Sequence, residues 1–165
     1  MGRAARLRMI YGLFLVSGAA GLVYEVVWSR LLKDVFGVTA YAVAAVLATY
    51  LGGLALGGWL LGSRADRQPN PLRFYGILEL GIGAAALLGT LLLRFLEPFH
   101  DAAAVRLAPG SPALLLIRVL LASLVVVPPT FLMGATLPAM TRAFVARAES
   151  VGRELSLLYA LNTAG

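Results

Sequence analysis

Residues 41–62 read YAVAAVLATYLGGLALGGWLLG, a run of 22 positions without one charged side chain. A helix needs about 20 such residues to cross the hydrocarbon core of a bilayer. No backbone N–H or C=O can go unpaired there, so the segment must be helical. Working outward, residues 9–28 form another apolar run interrupted only by Glu25, and residues 74–93 a third interrupted only by Glu79. A fourth, 113–138, contains Arg118, then Pro128, Pro129 and Gly134, and ends at Pro138. The pattern predicts an all-α fold: a polytopic membrane helical bundle of four spans. From residue 155 the stretch LSLLYALNTAG begins a fifth apolar run of 11 residues. That is too few to cross, and the expectation is that the chain is the front part of a longer protein.

The composition agrees with lipid as the surrounding medium. Hydrophobic residues make up 60% of the chain and charged ones 13%, against about a quarter charged in a soluble domain. So apolar a surface does not stay dispersed in water, which makes the lipid bilayer the first expected partner. The net charge of +6 is spread between the apolar runs instead of gathered in one patch, so no nucleic-acid partner is expected. The absence of cysteine excludes disulfides and thiolate metal sites, and the single histidine, His100, excludes a His-based cluster. Pro109-Gly110-Ser111-Pro112 punctuates a stretch read as a loop from Glu97 to Pro112, with His100 at its surface beside Asp101. Nothing in the chain has the pattern of a catalytic triad or a phosphate-cradling loop, so no catalytic residue, metal or cofactor is expected in it.

The basic residues give an orientation. Arg3, Arg6, Arg8, Arg64, Arg67, Arg73, Arg142, Arg147 and Arg153 fall on one side of the four spans, and Arg30, Lys33, Arg94, Arg106 and Arg118 on the other. Basic loops stay in the cytoplasm, which predicts a cytoplasmic amino terminus. The first span also has the basic start and apolar middle of a signal peptide, but its apolar run is too long for one.

Two features within the spans invite a functional reading. Gly52, Gly53, Gly57, Gly58 and Gly62 make a smooth ridge along span two, suited to close helix packing, to movement of one helix on another, or to self-association as a homo-oligomer. Glu25 and Glu79 are carboxylates inside spans, each flanked by glycines at helical spacing (Gly18 and Gly21; Gly76 and Gly83), so both point to packed faces. A buried carboxylate needs a partner or an aqueous cavity. With Tyr24, Trp28, Tyr50 and Tyr75 nearby in sequence, the pair could hold a cationic ligand by charge and cation–π attraction. The alternative is an internal ion pair between Glu25 and Arg118, which the orientation puts at similar depth. Pro128 and Pro129 predict a kink or a break in span four.

Several of these segments resemble one family. Ser17-Gly18-Ala-Ala-Gly-Leu-Val-Tyr24-Glu25-Val-Val-Trp28-Ser29-Arg30, Thr49-Tyr50-Leu-Gly52-Gly53-Leu-Ala-Leu-Gly57 and Tyr75-Gly-Ile-Leu-Glu79 are similar to the opening of membrane-bound spermidine-synthase-like proteins. So are Pro129-Thr130-Phe-Leu-Met-Gly134-Ala-Thr-Leu-Pro138 and Leu158-Tyr159-Ala-Leu-Asn162-Thr163. The resemblance implies a helical membrane region preceding a soluble aminopropyltransferase-like domain, which lies outside these 165 residues. It implies a bacterial plasma (inner) membrane and a polyamine as the ligand class, and gives Glu25 and Glu79 no assigned role. It further implies part of a half of the major-facilitator architecture. Gly62-Ser-Arg64-Ala65-Asp66-Arg67 is similar to that superfamily's cytoplasmic loop motif, but Gln68-Pro69-Asn70-Pro71 stands where glycine and basic residues would follow.

Overall fold

The computed structural model describes residues 3–36, 40–144, 156 and 160. The apolar stretch from residue 155, and Arg147 and Arg153 in the basic count, lie outside the described residues but for those two isolated positions. Five helices follow in order: α1 (Arg3–Phe36), α2 (Ala40–Asp66), α3 (Pro71–Arg106), α4 (Pro112–Gly134) and α5 (Thr136–Phe144). Among the described residues there is no strand, and four stretches are long and apolar enough to cross a membrane: Tyr11–Lys33, Val43–Asp66, Pro71–Arg106 and Pro112–Ala143. The all-α helical bundle expected from the apolar runs is what the chain forms.

Large apolar side chains point outward along every span. Val16 on α1, Trp59 on α2, Leu80 on α3 and Leu120 on α4 are all well exposed. In water that would be a liability; against acyl chains it is the correct surface, and it marks an integral membrane protein. Several hydroxyls inside the spans are satisfied locally. Thr49 donates to the Ala45 carbonyl (2.7 Å), Thr90 to Ala86 (2.9 Å) and Ser123 to Val119 (2.7 Å), each one turn back on its own helix.

α4 is the centre of the bundle, packed mainly on α2 and α3, with α1 alongside. The α2 contact is made by the glycine ridge. A Cβ at Gly53 would overlap the Thr130 side chain, one at Gly57 would overlap the backbone of Phe131, and one at Gly58 would stand 3.2 Å from the Gly134 carbonyl oxygen. Gly62 lies against Pro138, and Gly134 returns the contact by meeting the Leu54 backbone. Gly52 meets nothing within 4 Å and does not belong to the contact. The ridge therefore packs within the chain.

One sequence expectation is corrected and one open alternative is narrowed. α3 does not end near Leu93: it continues to Arg106, so the predicted loop from Glu97 shrinks to residues 107–111. Pro98 is accommodated inside the helix at an exposed position, where the carbonyl it leaves without a donor can be solvated. After it come Ala102, Ala103 and Ala104, strong helix formers, and no further Gly or Pro before Pro109. Gly110, at φ +83°, makes the turn, and the Ser111 side chain caps α4 by accepting from Leu114 N (3.3 Å). Of the kink or break expected at Pro128-Pro129, the break is not what forms. α4 continues through both prolines and stops at Ala135, whose N–H bonds back to Leu132 (3.1 Å) before α5 begins. Pro129 leaves the Val125 carbonyl without its helical donor, and that oxygen faces Gly89 of α3, 3.2 Å from where a Cβ would sit. Thr130 donates to Val126 (2.8 Å) and Val127 (3.2 Å), adding a tie across the same turn.

Substitution at the ridge should separate contact from non-contact glycines. Gly57→Ala is expected to lower the stability of the detergent-solubilised protein by about 1–3 kcal/mol, the cost of over-packing a tight contact. Gly52→Ala should change it by less than about 0.5 kcal/mol. Thermal unfolding followed by helical circular dichroism checks the pair.

Candidate functional site

α1 presents Ser17, Gly21, Glu25 and Trp28 at spacings of three and four, so they share one stripe of the helix. At the lower turns of this stripe, Ser17 Oγ donates to Glu79 Oε1 of α3 (2.6 Å). Two turns further along, Glu25 and Trp28 face Tyr50 of α2 across a cleft of about 230 Å³, whose back wall is Val126 of α4. Ser29, Val43, Val46 and Leu47 complete the lining.

The cleft owes its shape to large rings held still. Trp28 is 2% exposed, and Tyr24 stacks on it with ring centroids 5.4 Å apart and planes 15° from parallel. Tyr50 is buried against the same core, which includes Leu32, Val125 and Val126. Glu25 is half-buried at the cleft wall and has no ion-pair partner among the described residues. One carboxylate beside an indole and a phenol, with Ser29 as a further polar group among aliphatic walls, is an arrangement suited to an organic cation. Tyr24 acts on the cleft through Trp28 and does not line it.

Glu79 and Tyr75 belong elsewhere. Ser17 and Glu25 are eight positions apart on α1, so at a rise of 1.5 Å per residue the two carboxylates sit about 12 Å apart in depth. The six residues grouped by sequence proximity thus form two sites. Around Glu79, Tyr75 packs edge-on against Phe14 (6.0 Å between centroids, 64°), and its hydroxyl lies beside Ser17 and Glu79 without a well-formed hydrogen bond among the described residues. Tyr75 belongs to the core formed with Leu78, Ala139 and Met140, whereas Ser17 and Glu79 are half-buried beside it.

The Glu25–Arg118 pair is not formed. Arg118 Nε donates instead to His100 Nε2 (3.3 Å), and His100 Nδ1 lies 3.2 Å from Asp101 Oδ1. Because a guanidinium can only donate, Nε2 is the acceptor and Nδ1 carries the proton toward Asp101. His100 is 5% exposed, not the surface residue of a loop, because α3 extends past it and carries it against α4. The signal for this contact was present in the chain: His100 is six residues before the end of α3 and Arg118 six after the start of α4, hence level across the hairpin. Ser17 was also missed as a site residue, although it lies two turns before Glu25 on the same stripe.

Among the described residues no three of His, Cys, Asp and Glu gather as metal ligands. No family model, curated protein or solved structure matches the chain.

Paired substitutions distinguish the two assignments of Arg118. Changing His100 and Arg118 to Ala singly and together should give a coupling of about 1 kcal/mol, as for a buried hydrogen bond. The same cycle on Glu25 and Arg118 should be additive within about 0.5 kcal/mol. Stability of the purified protein in detergent is the readout.

Proposed function

We propose that the chain is the membrane domain of a spermidine-synthase-like protein, which holds a soluble aminopropyltransferase-like domain at a bacterial inner membrane and binds an organic cation, a polyamine by class, in the Glu25 cleft. This segment carries no catalysis of its own in that reading. The motif residues Glu25, Trp28 and Tyr50 support the family resemblance and also line the cleft.

The observation that carries the cation reading is a carboxylate without an ion-pair partner among the described residues, lining one cleft with two aromatic side chains in a membrane span. Such a group is costly unless a counter-charge or water reaches it. An ammonium at Glu25 supplies the counter-charge, the rings attract it through their faces, and Val46 and Leu47 offer a wall for a methylene chain. The rival reading, a packing module that self-associates through its glycines, has less to rest on. Gly53, Gly57 and Gly58 are covered by α4 of the same chain.

Spermidine binding to the purified protein in detergent, measured by calorimetry, tests the proposal. Glu25→Gln keeps the shape and removes the charge, and should weaken binding by about tenfold or more, the loss of one charge-assisted contact. Glu79→Gln should leave affinity within about twofold, since sites about 12 Å apart share no contact. Undiminished binding by Glu25→Gln would remove the cation reading.

A further inference from the structure

At the end of the bundle where α2 gives way to α3, four arginines come together from three segments. Arg64 is in the last turn of α2, Arg67 follows it, Arg73 is in the first turn of α3, and Arg142 is on α5. Arg142 is brought there by its Nε, which donates to the Asp66 carbonyl oxygen (3.2 Å). All four are exposed, and among the described residues none has a carboxylate within ion-pair distance. The single acidic side chain in the group is Asp66.

Between the α2–α3 connection and α5 lies a cleft of about 330 Å³, edged by Arg142, Gln68 and Asn70 and walled by Pro69, Leu72 and Ala143. With Nε engaged, the two terminal amino groups of Arg142 remain as donors. The cleft is polar and cationic at its rim and apolar along part of its wall. It lies at the level where two membrane spans meet their loop.

The geometry points to a binding site for the headgroup of an anionic phospholipid in this cleft. The lipid phosphate takes the Arg142 amino groups, with Arg67 and Arg73 supplying the surrounding positive field, and the glycerol end lies along Leu72 and Ala143. Arginine suits this role because its planar fork matches phosphate oxygens two at a time. A lipid is the occupant the position favours over an acidic protein or free phosphate. The cleft opens at the depth of the headgroups, and its apolar wall has no use for an inorganic ion. This site is independent of the Glu25 cleft, at the other end of α2 from Tyr50's neighbours.

Native mass spectrometry of the purified protein with phosphatidylglycerol or phosphatidylcholine tests it. Wild type should retain phosphatidylglycerol in preference to phosphatidylcholine. Each arginine near an anionic headgroup is worth roughly fivefold in affinity, so Arg67→Gln with Arg73→Gln should reduce that retention by about twenty-five-fold. This double variant leaves the Arg142–Asp66 contact intact, so the fold is kept. Arg142→Gln should weaken retention further, with folding checked by circular dichroism. Equal retention of the two lipids, or undiminished retention by the double variant, overturns the proposal. So does displacement of the lipid by inorganic phosphate or by an acidic peptide, which would assign the arginines to those ligands.

Discussion

The fold depends on how closely α2 and α4 approach. In water, burying apolar side chains would drive two helices together; in lipid that force is absent, because the acyl chains are as apolar as leucine. What remains is the dispersion gained when surfaces meet without gaps. Gly53, Gly57 and Gly58 on one helix and Gly134 on the other remove the side chains that would hold the backbones apart. α4 is thereby fixed as the central helix. α3 then packs on its other side, where Gly89 receives Val125, and α1 closes on the assembly with Phe14, Trp28 and Leu32 buried.

With the frame set in this way, polar groups inside the bundle divide by whether they find a partner. The backbone hydroxyl ties of Thr49, Thr90 and Thr130 are complete within their own helices. Glu79 is met by Ser17, and Arg118 by His100. Glu25 stands apart from these. It faces a cleft lined by large rings, and the tight seam between α2 and α4 places Tyr50 on the far side of that cleft and Val126 at its back. The scaffold interaction and the candidate site are thus connected through α2: the same helix presents its glycines to α4 and its tyrosine to α1.

Much of the architecture was legible in the apolar runs. Length and scarcity of charge identified all four spans, because lipid admits few alternatives to a helix. Gly53, Gly57, Gly58 and Gly62 were legible as a packing ridge, since small residues four apart have little other use; Gly52 was wrongly included because a ridge on a helix has a width that sequence spacing alone does not give. The far end of α3 was misread. The Pro109-Gly110-Ser111-Pro112 punctuation suggested a loop reaching back to Glu97, whereas the helix runs through Pro98, because a proline on an exposed helix face costs little when its orphaned carbonyl can be solvated. That error concealed His100, and with it the true partner of Arg118. Grouping Glu25 with Glu79 failed for a related reason. Both look inward, but sequence does not state the depth at which an antiparallel neighbour meets each residue.

The length of α3 has a consequence for where its end sits. The helix runs for 36 residues, from Pro71 to Arg106, about 54 Å at 1.5 Å per residue. Even tilted by about 40°, the upper end of what membrane helices show, it reaches about 41 Å along the bilayer normal, beyond a hydrocarbon core of about 30 Å. Its apolar run ends at Leu93, and Arg94, Glu97, Asp101 and Arg106 follow. The tip of the α3–α4 hairpin therefore stands among the headgroups, where water can reach the carbonyl freed by Pro98 and the charged groups beside it.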